Sequence, residues 1–203
     1  ETETTQTLPP SVEKHRQDIV DFDNKCFEAS MKVLDILSWA FNLPENYFRF
    51  THKDVGSNSL TLLHYPSLDR PAAGDDIRTG SHKDQADLDK WGDITLLFQE
   101  KGGQPGLQVY LPTEASKKSK GFQLVQGDFN LESGTWISAP IVPNTVLVNV
   151  GLTLDAKTNG LCKANVHRVI FPPTPEGTVS KARKSIPYFS TPSFEIVILP
   201  IYR

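Results

Sequence analysis

Asn165-Val166-His167-Arg168-Val169-Ile170-Phe171 is a run rich in β-branched residues. On extended backbone its side chains alternate between two faces, so His167 points one way while Val166 and Arg168 point the other. Similar short runs, broken by Gly, Pro, Asn and Asp, lie at residues 59–64, 94–98, 106–110, 135–137, 145–150, 185–189 and 194–199. Together they predict about eight short strands with turns between them, the pattern of an antiparallel sandwich or barrel, with a jelly roll as the natural form. Asn149, Gly151, Asn159 and Gly160 read as turn-setting residues ahead of the strand that carries His167. Trp136 and Phe98 are expected in the core.

Upstream of these strands the period changes. Ile19, Phe22, Cys26, Ser30, Val33, Leu34, Leu37, Ala40 and Phe41 are spaced as one helix face requires, which predicts one long helix over residues 11–41. Pro9 and Pro10 suit its start, and Asn42 with Pro44 suits its end. The organisation expected is a tail and buttressing helix over residues 1–44 followed by one mainly β domain over 45–203. A polar loop rich in Ser and Lys is inserted at 113–120.

Composition narrows the function classes. With 203 residues, 38% of them hydrophobic, 22% charged and a net charge of -3, neither disorder nor a nucleic-acid-binding footprint is indicated. No apolar run is long enough to cross a bilayer. Cys26 and Cys162 belong to no CxxC pair, so the reading is a cytoplasmic protein without a thiolate zinc site.

Chemistry-bearing residues stand at three places. In Gly80-Ser81-His82-Lys83-Asp84 a histidine and an aspartate two apart share one face of an extended chain, as a chelating pair requires. His167 can supply a third ligand, and two imidazoles with one carboxylate leave positions open on a ferrous ion. In Arg183-Lys184-Ser185-Ile186-Pro187 a guanidinium two residues from a hydroxyl can grip a carboxylate, and Arg183 would take the distal carboxylate of a dicarboxylic keto acid. The plainer alternative for Arg183 is a surface basic patch with Lys181 and Lys184.

The order of these motifs resembles the C-terminal catalytic domain of the iron(II) and 2-oxoglutarate dioxygenases related to isopenicillin N synthase. The resemblance runs over nearly the whole chain. It is carried by Leu63-His64-Tyr65-Pro66, His82-Lys83-Asp84, Trp91-Gly92-Asp93-Ile94-Thr95-Leu96-Leu97-Phe98-Gln99, Gly106-Leu107-Gln108-Val109, Val148-Asn149-Val150-Gly151, His167-Arg168-Val169 and Arg183-Lys184-Ser185-Ile186-Pro187. It implies a double-stranded β-helix in which His82, Asp84 and His167 bind Fe(II). Arg183 and Ser185 would hold 2-oxoglutarate as cosubstrate, with the Tyr65 hydroxyl joining that contact. The implied reaction is oxidation of an organic small molecule by O2, as hydroxylation, desaturation or cyclisation, with release of succinate and CO2. His82 and His167 must be neutral to bind metal, so activity should fall on the acid side. Tyr188 and Phe189, on the strand after Arg183, read either as borders of the substrate cavity or, as is commoner for strand aromatics, as sheet packing.

Departures from the family pattern concern loops and one ligand. Residues 85–90 separate Asp84 from Trp91-Gly92, which leaves Asp87 and Asp89 as competing carboxylates. Leu152 stands where an aspartate is usual, and residues 171–181 lengthen the approach to Arg183. The family's usual region before the long helix has no counterpart in these residues. Two rival readings stay open at this stage: an oxidase like isopenicillin N synthase that does not use 2-oxoglutarate, and a non-catalytic β-sandwich binding module.

Overall fold

The computed structural model describes residues 7–53, 57–73, 76–84, 92–112, 134–175, 178–193, 195, 197 and 199–201. Asp87 and Asp89, and the loop expected at 113–120, lie outside these. The chain forms two compact units, Glu1–Phe50 and Thr51–Arg203.

The first unit is helical. Instead of one helix there are two, α1 (Pro10–Glu13) and α2 (Arg16–Ala40), with Pro10 in the first turn as expected. Arg16 spans the break through two hydrogen bonds to Glu13 at 2.7 Å. At the far end Asn42 takes φ 52°, its N–H donates to Trp39 O, and Leu43 N–H donates to Ser38 O. This is the left-handed cap that asparagine tolerates. Cys26, Ser30, Met31, Leu34 and Ser38 are the buried residues of α2, so the buried face is rotated slightly from the expected one toward Met31 and Ser38.

Among the described residues the second unit holds nine strands: β1 (Ser59–Leu60), β2 (Leu63–Tyr65), β3 (Ile77–His82), β4 (Ile94–Gln99), β5 (Leu107–Pro112), β6 (Gly134–Ser138), β7 (Leu147–Val150), β8 (His167–Ile170) and β9 (Arg183–Ser190). One sheet runs β1-β9-β4-β7, with β2 also on β9, and the other runs β3-β8-β5-β6. All pairings are antiparallel. From β2 onward the described strands alternate between the sheets, except that β5 and β6 pair on one sheet, and the last strand returns beside the first. That winding is the double-stranded β-helix.

Leu97, Leu107 and Val169 are buried together between the two sheets, with Ala139 and Leu147 packed on them. Central β4, paired on both edges, is also buried on both faces over Ile94, Thr95, Leu96 and Leu97. Trp136 is only half-buried. Its ring packs edge-on to Tyr110 at 5.3 Å and carries the Arg168 guanidinium at 4.1 Å. Phe98 is half-buried too.

Two elements were not legible in the sequence. β3 (Ile-Arg-Thr-Gly-Ser-His) has a single apolar residue, and its extended form is imposed by pairing with β8, with two register irregularities along the way. The helix α3 (Leu152–Lys157) is one of six residues, too short to show a period, and nearly all of it is buried. Asn159 and Gly160 make the expected turn, with φ 50° and 79°, but Asn149 belongs to strand β7 and not to a turn. Gly151 sets the entry to α3 by close approach: a Cβ there would lie 2.2 Å from Gly92 O. The strand expected at 194–199 falls partly outside the described residues, and 195, 197 and 199 are not in a strand.

Candidate metal centre and its cavity

His82 ends β3 and His167 begins β8. The two are register partners, and their rings stand 4.2 Å apart between centroids. Asp84 lies two residues past β3 and is 6% exposed. Its Oδ1 is 3.2 Å from His167 Nε2 and 3.9 Å from His82 Nε2. One ligand atom from each of the three residues falls within 4.8 Å of the others, a donor set that fits a divalent transition metal.

The backbone fixes how each imidazole presents itself. His82 Nδ1 is 2.8 Å from Gly80 O, and His167 Nδ1 is 3.2 Å from Asn165 O. A carbonyl only accepts, so Nδ1 carries the proton in both rings and Nε2 is the metal-facing nitrogen. Burial pulls the His82 pKa down, and the neighbouring His167 adds to this. At His167 burial acts in the same downward sense, but the hydrogen bond and charge of Asp84 outweigh it and leave the group raised. Burial would raise Asp84, yet hydrogen bonds from His167 and Thr95 and the adjacent imidazoles hold it below its ordinary value. Asn149 donates a long hydrogen bond, 3.5 Å, to Asp84 Oδ2. Thr95 and Asn149 are themselves register partners across β4 and β7, so one polar rung of these two strands serves the carboxylate.

On the sheet that carries β4 and β7, β9 alternates so that Arg183, Ser185, Pro187 and Phe189 face inward. Arg183 is 2% exposed. Its Nη1 donates to Ser185 Oγ at 2.8 Å and its Nη2 to Gln99 Oε1 at 3.1 Å. Its Nε has no hydrogen-bond partner among the described residues. The guanidinium lies 5.4 Å from the Tyr65 ring, whose hydroxyl meets Thr79 Oγ1 at 3.1 Å. Burial lowers the Arg183 pKa. Among the described residues the hydrogen bonds of Arg183 go to neutral groups alone, an environment chemically suited to receive an anion.

A cavity of about 120 Å³ joins these groups, and His82, Asp84, His167, Arg183, Ser185 and Tyr65 all line it. The six residues read as ligands of metal or cosubstrate therefore meet in one place. Phe189 lines the cavity as well, whereas Tyr188, on the opposite face of β9, is fully buried away from it. Thr95, Gln99 and Asn149 are site residues that the sequence reading missed. Each is a polar residue inside or ending an apolar strand, a signal that marks them only once the strand's inward face is known.

The model of the 2OG-Fe(II) oxygenase superfamily matches residues 57–192. A 2-oxoglutarate-dependent dioxygenase of Aspergillus rugulosus is 30% identical over 184 residues, covering 87% of this chain and 47% of that protein. A 1-aminocyclopropane-1-carboxylate oxidase of Dictyostelium discoideum is 27% identical, covering 94% of this chain and 51% of its own. Among solved structures, full-length T7H of Neurospora crassa in complex with α-ketoglutarate superposes with a TM-score of 0.76 at 28% identity, covering all of this chain and 58% of that one. The chain spans about half the length of the curated relatives it matches. Among the described residues, no helix is long and apolar enough to cross a membrane.

Proposed function

Because this chain belongs to the 2OG-Fe(II) oxygenase superfamily, we propose that His82, Asp84 and His167 hold ferrous iron and that Arg183 and Ser185, with Tyr65, hold the far carboxylate of 2-oxoglutarate. The protein then oxidises an organic small molecule with O2 and releases succinate and CO2. The observation that supports this reading is the shared cavity, which Arg183 and Ser185 line together with the two histidines and the carboxylate.

Bound iron and the keto acid would supply the oxygen activation that no side chain offers. The chain's own residues bind and orient. Gly80 O and Asn165 O hold the two Nδ1–H groups and leave Nε2 of each ring to the metal, for which His167 would give up the Nε2 proton it shares with Asp84. Thr95 and Asn149 keep the Asp84 carboxylate aimed at the histidines. Arg183 has its fork steadied by Ser185 and Gln99, and the carboxylate it receives supplies the counter-charge that its surroundings lack. Leu97, Leu107, Val169 and Phe189 make the cavity walls apolar, which favours a substrate that brings C–H bonds to the metal's open side. A cytosolic setting fits the two free cysteines, Cys26 and Cys162.

The test is turnover of 2-oxoglutarate to succinate by the iron-loaded chain, with and without candidate substrates. Succinate formed in proportion to protein and abolished in His167→Ala supports the reading. Binding of iron without any binding or turnover of 2-oxoglutarate would favour an oxidase of the same fold instead.

A further inference from the structure

Beyond the cavity, the second unit buries a second charged cluster. Lys157 Nζ donates to Asp93 Oδ2 at 2.7 Å, with the two side chains 4% and 0% exposed. His52 Nε2 lies 3.5 Å from the same oxygen, and Lys157 Nζ also reaches Thr51 Oγ1 at 3.3 Å. None of these groups lines the cavity. A buried ion pair is a weak way to gain stability, since apolar side chains of the same volume often do as well. Such a pair does fix one arrangement of the elements it joins, and here those elements lead to Asp84.

Lys157 is the last residue of α3, and Asp93 immediately precedes β4. At the other end of α3, Leu152 N–H donates to Asp84 O at 3.3 Å and Thr153 N–H donates to Gly92 O at 3.1 Å. These two carbonyls belong to the described residues on either side of residues 85–91, so α3 holds the chain on both sides of that segment. Gly151 N–H in turn donates to Asp93 O at 2.9 Å, and Asp93 N–H donates to Ser190 O at 2.8 Å. Two residues beyond Asp93, Thr95 bonds the Asp84 carboxylate directly.

We infer that the buried Lys157–Asp93 ion pair is a positioning device for Asp84: it locks α3 against the start of β4, and α3 fixes the backbone from which the carboxylate reaches the histidines. This rests on the triad being the metal site. Lys157 and Asp93 act through α3, and neither touches the metal.

The experiment titrates Co(II) into the full chain and into Asp93→Asn/Lys157→Met, a double variant that removes both charges at similar volume and so leaves no buried ion unpaired. Circular dichroism and thermal unfolding of the metal-free proteins report the fold. The Co(II) dissociation constant and the visible ligand-field spectrum report the site. The expected result is a folded double variant whose Co(II) affinity is weaker by about tenfold or more, the scale seen when groups supporting metal ligands are removed, with an altered spectrum. Wild-type affinity and spectrum in a folded double variant would overturn the inference. So would a double variant that cannot fold, because the pair would then serve folding itself. A wild-type chain that binds no Co(II) would instead overturn the metal-site reading on which it rests.

Discussion

His82 and His167 are register partners across the β3–β8 ladder, and that pairing, not their separation of many residues in sequence, sets their rings 4.2 Å apart. Directly opposed residues on neighbouring antiparallel strands bring their side chains together on one face. Because the side-chain period of a strand is two, a slip of one residue would turn His82 to the other face and dissolve the site. The irregularities between Ile77, Thr79 and His82 adjust the register so that the pair meets.

The carboxylate ligand is open to direct test. Asp84 lies within reach of both histidines, so Asp84→Asn should abolish tight Fe(II) binding while Asp87→Asn and Asp89→Asn leave it within about threefold of wild type. Anaerobic metal titration of the three variants decides it. Loss of binding in Asp87→Asn or Asp89→Asn with retention in Asp84→Asn would reassign the ligand.

Arg183 should not be replaceable by lysine. Lys keeps the charge but not the fork that Ser185 and Gln99 steady, and losing one charge-assisted hydrogen bond costs about 1.5–3 kcal/mol. Arg183→Lys should therefore weaken 2-oxoglutarate binding by about tenfold or more, with metal affinity unchanged. Calorimetric titration of each ligand checks both halves.

Two glycines near the site should respond oppositely. A Cβ at Gly151 would sit 2.2 Å from Gly92 O, a backbone atom that cannot step aside, so Gly151→Ala should cost at least about 1–3 kcal/mol. Nothing lies within 4 Å of a Cβ at Gly80, so Gly80→Ala should be neutral or slightly stabilising. Denaturant unfolding of the metal-free variants measures the difference.

One surface pair gives a pH dependence of known sign. The Arg70 guanidinium, helped by the Ala73 N–H, holds Asp76 at about 2. A carboxyl lowered in the folded state contributes stability above its unfolded pKa and loses it as pH falls toward the folded value. NMR titration should find the Asp76 midpoint near 2, and Arg70→Gln should move it upward. Any stability difference between the two proteins should shrink on acidification below pH 4.

Much of this molecule was legible before its structure. His82, Asp84, His167, Arg183, Ser185 and Tyr65, which the structure gathers at one cavity, were read from the ordered motifs that resemble the iron(II) and 2-oxoglutarate dioxygenases, with strand spacing supporting the His82–Asp84 pair. What escaped was whatever tertiary pairing imposes. β3 has too little apolar character to announce itself, and α3 is too short to show a period. Asn149 read as a turn residue because its partner Thr95 and its carboxylate are distant in sequence. Lys157, Asp93 and His52 come together only in the fold, and no local pattern joins them.

The central claim is that the metal triad and Arg183 act on one small molecule in one cavity, and thermodynamic linkage measures this most directly. The 2-oxoglutarate dissociation constant is determined anaerobically with and without saturating Fe(II), for wild type and for His167→Ala. Sites that share a ligand are coupled, so Fe(II) should tighten 2-oxoglutarate binding to wild type by roughly 5- to 150-fold, with reciprocal tightening of the metal. That coupling should vanish in His167→Ala. Equal 2-oxoglutarate affinity with and without metal in the wild-type chain would contradict the account.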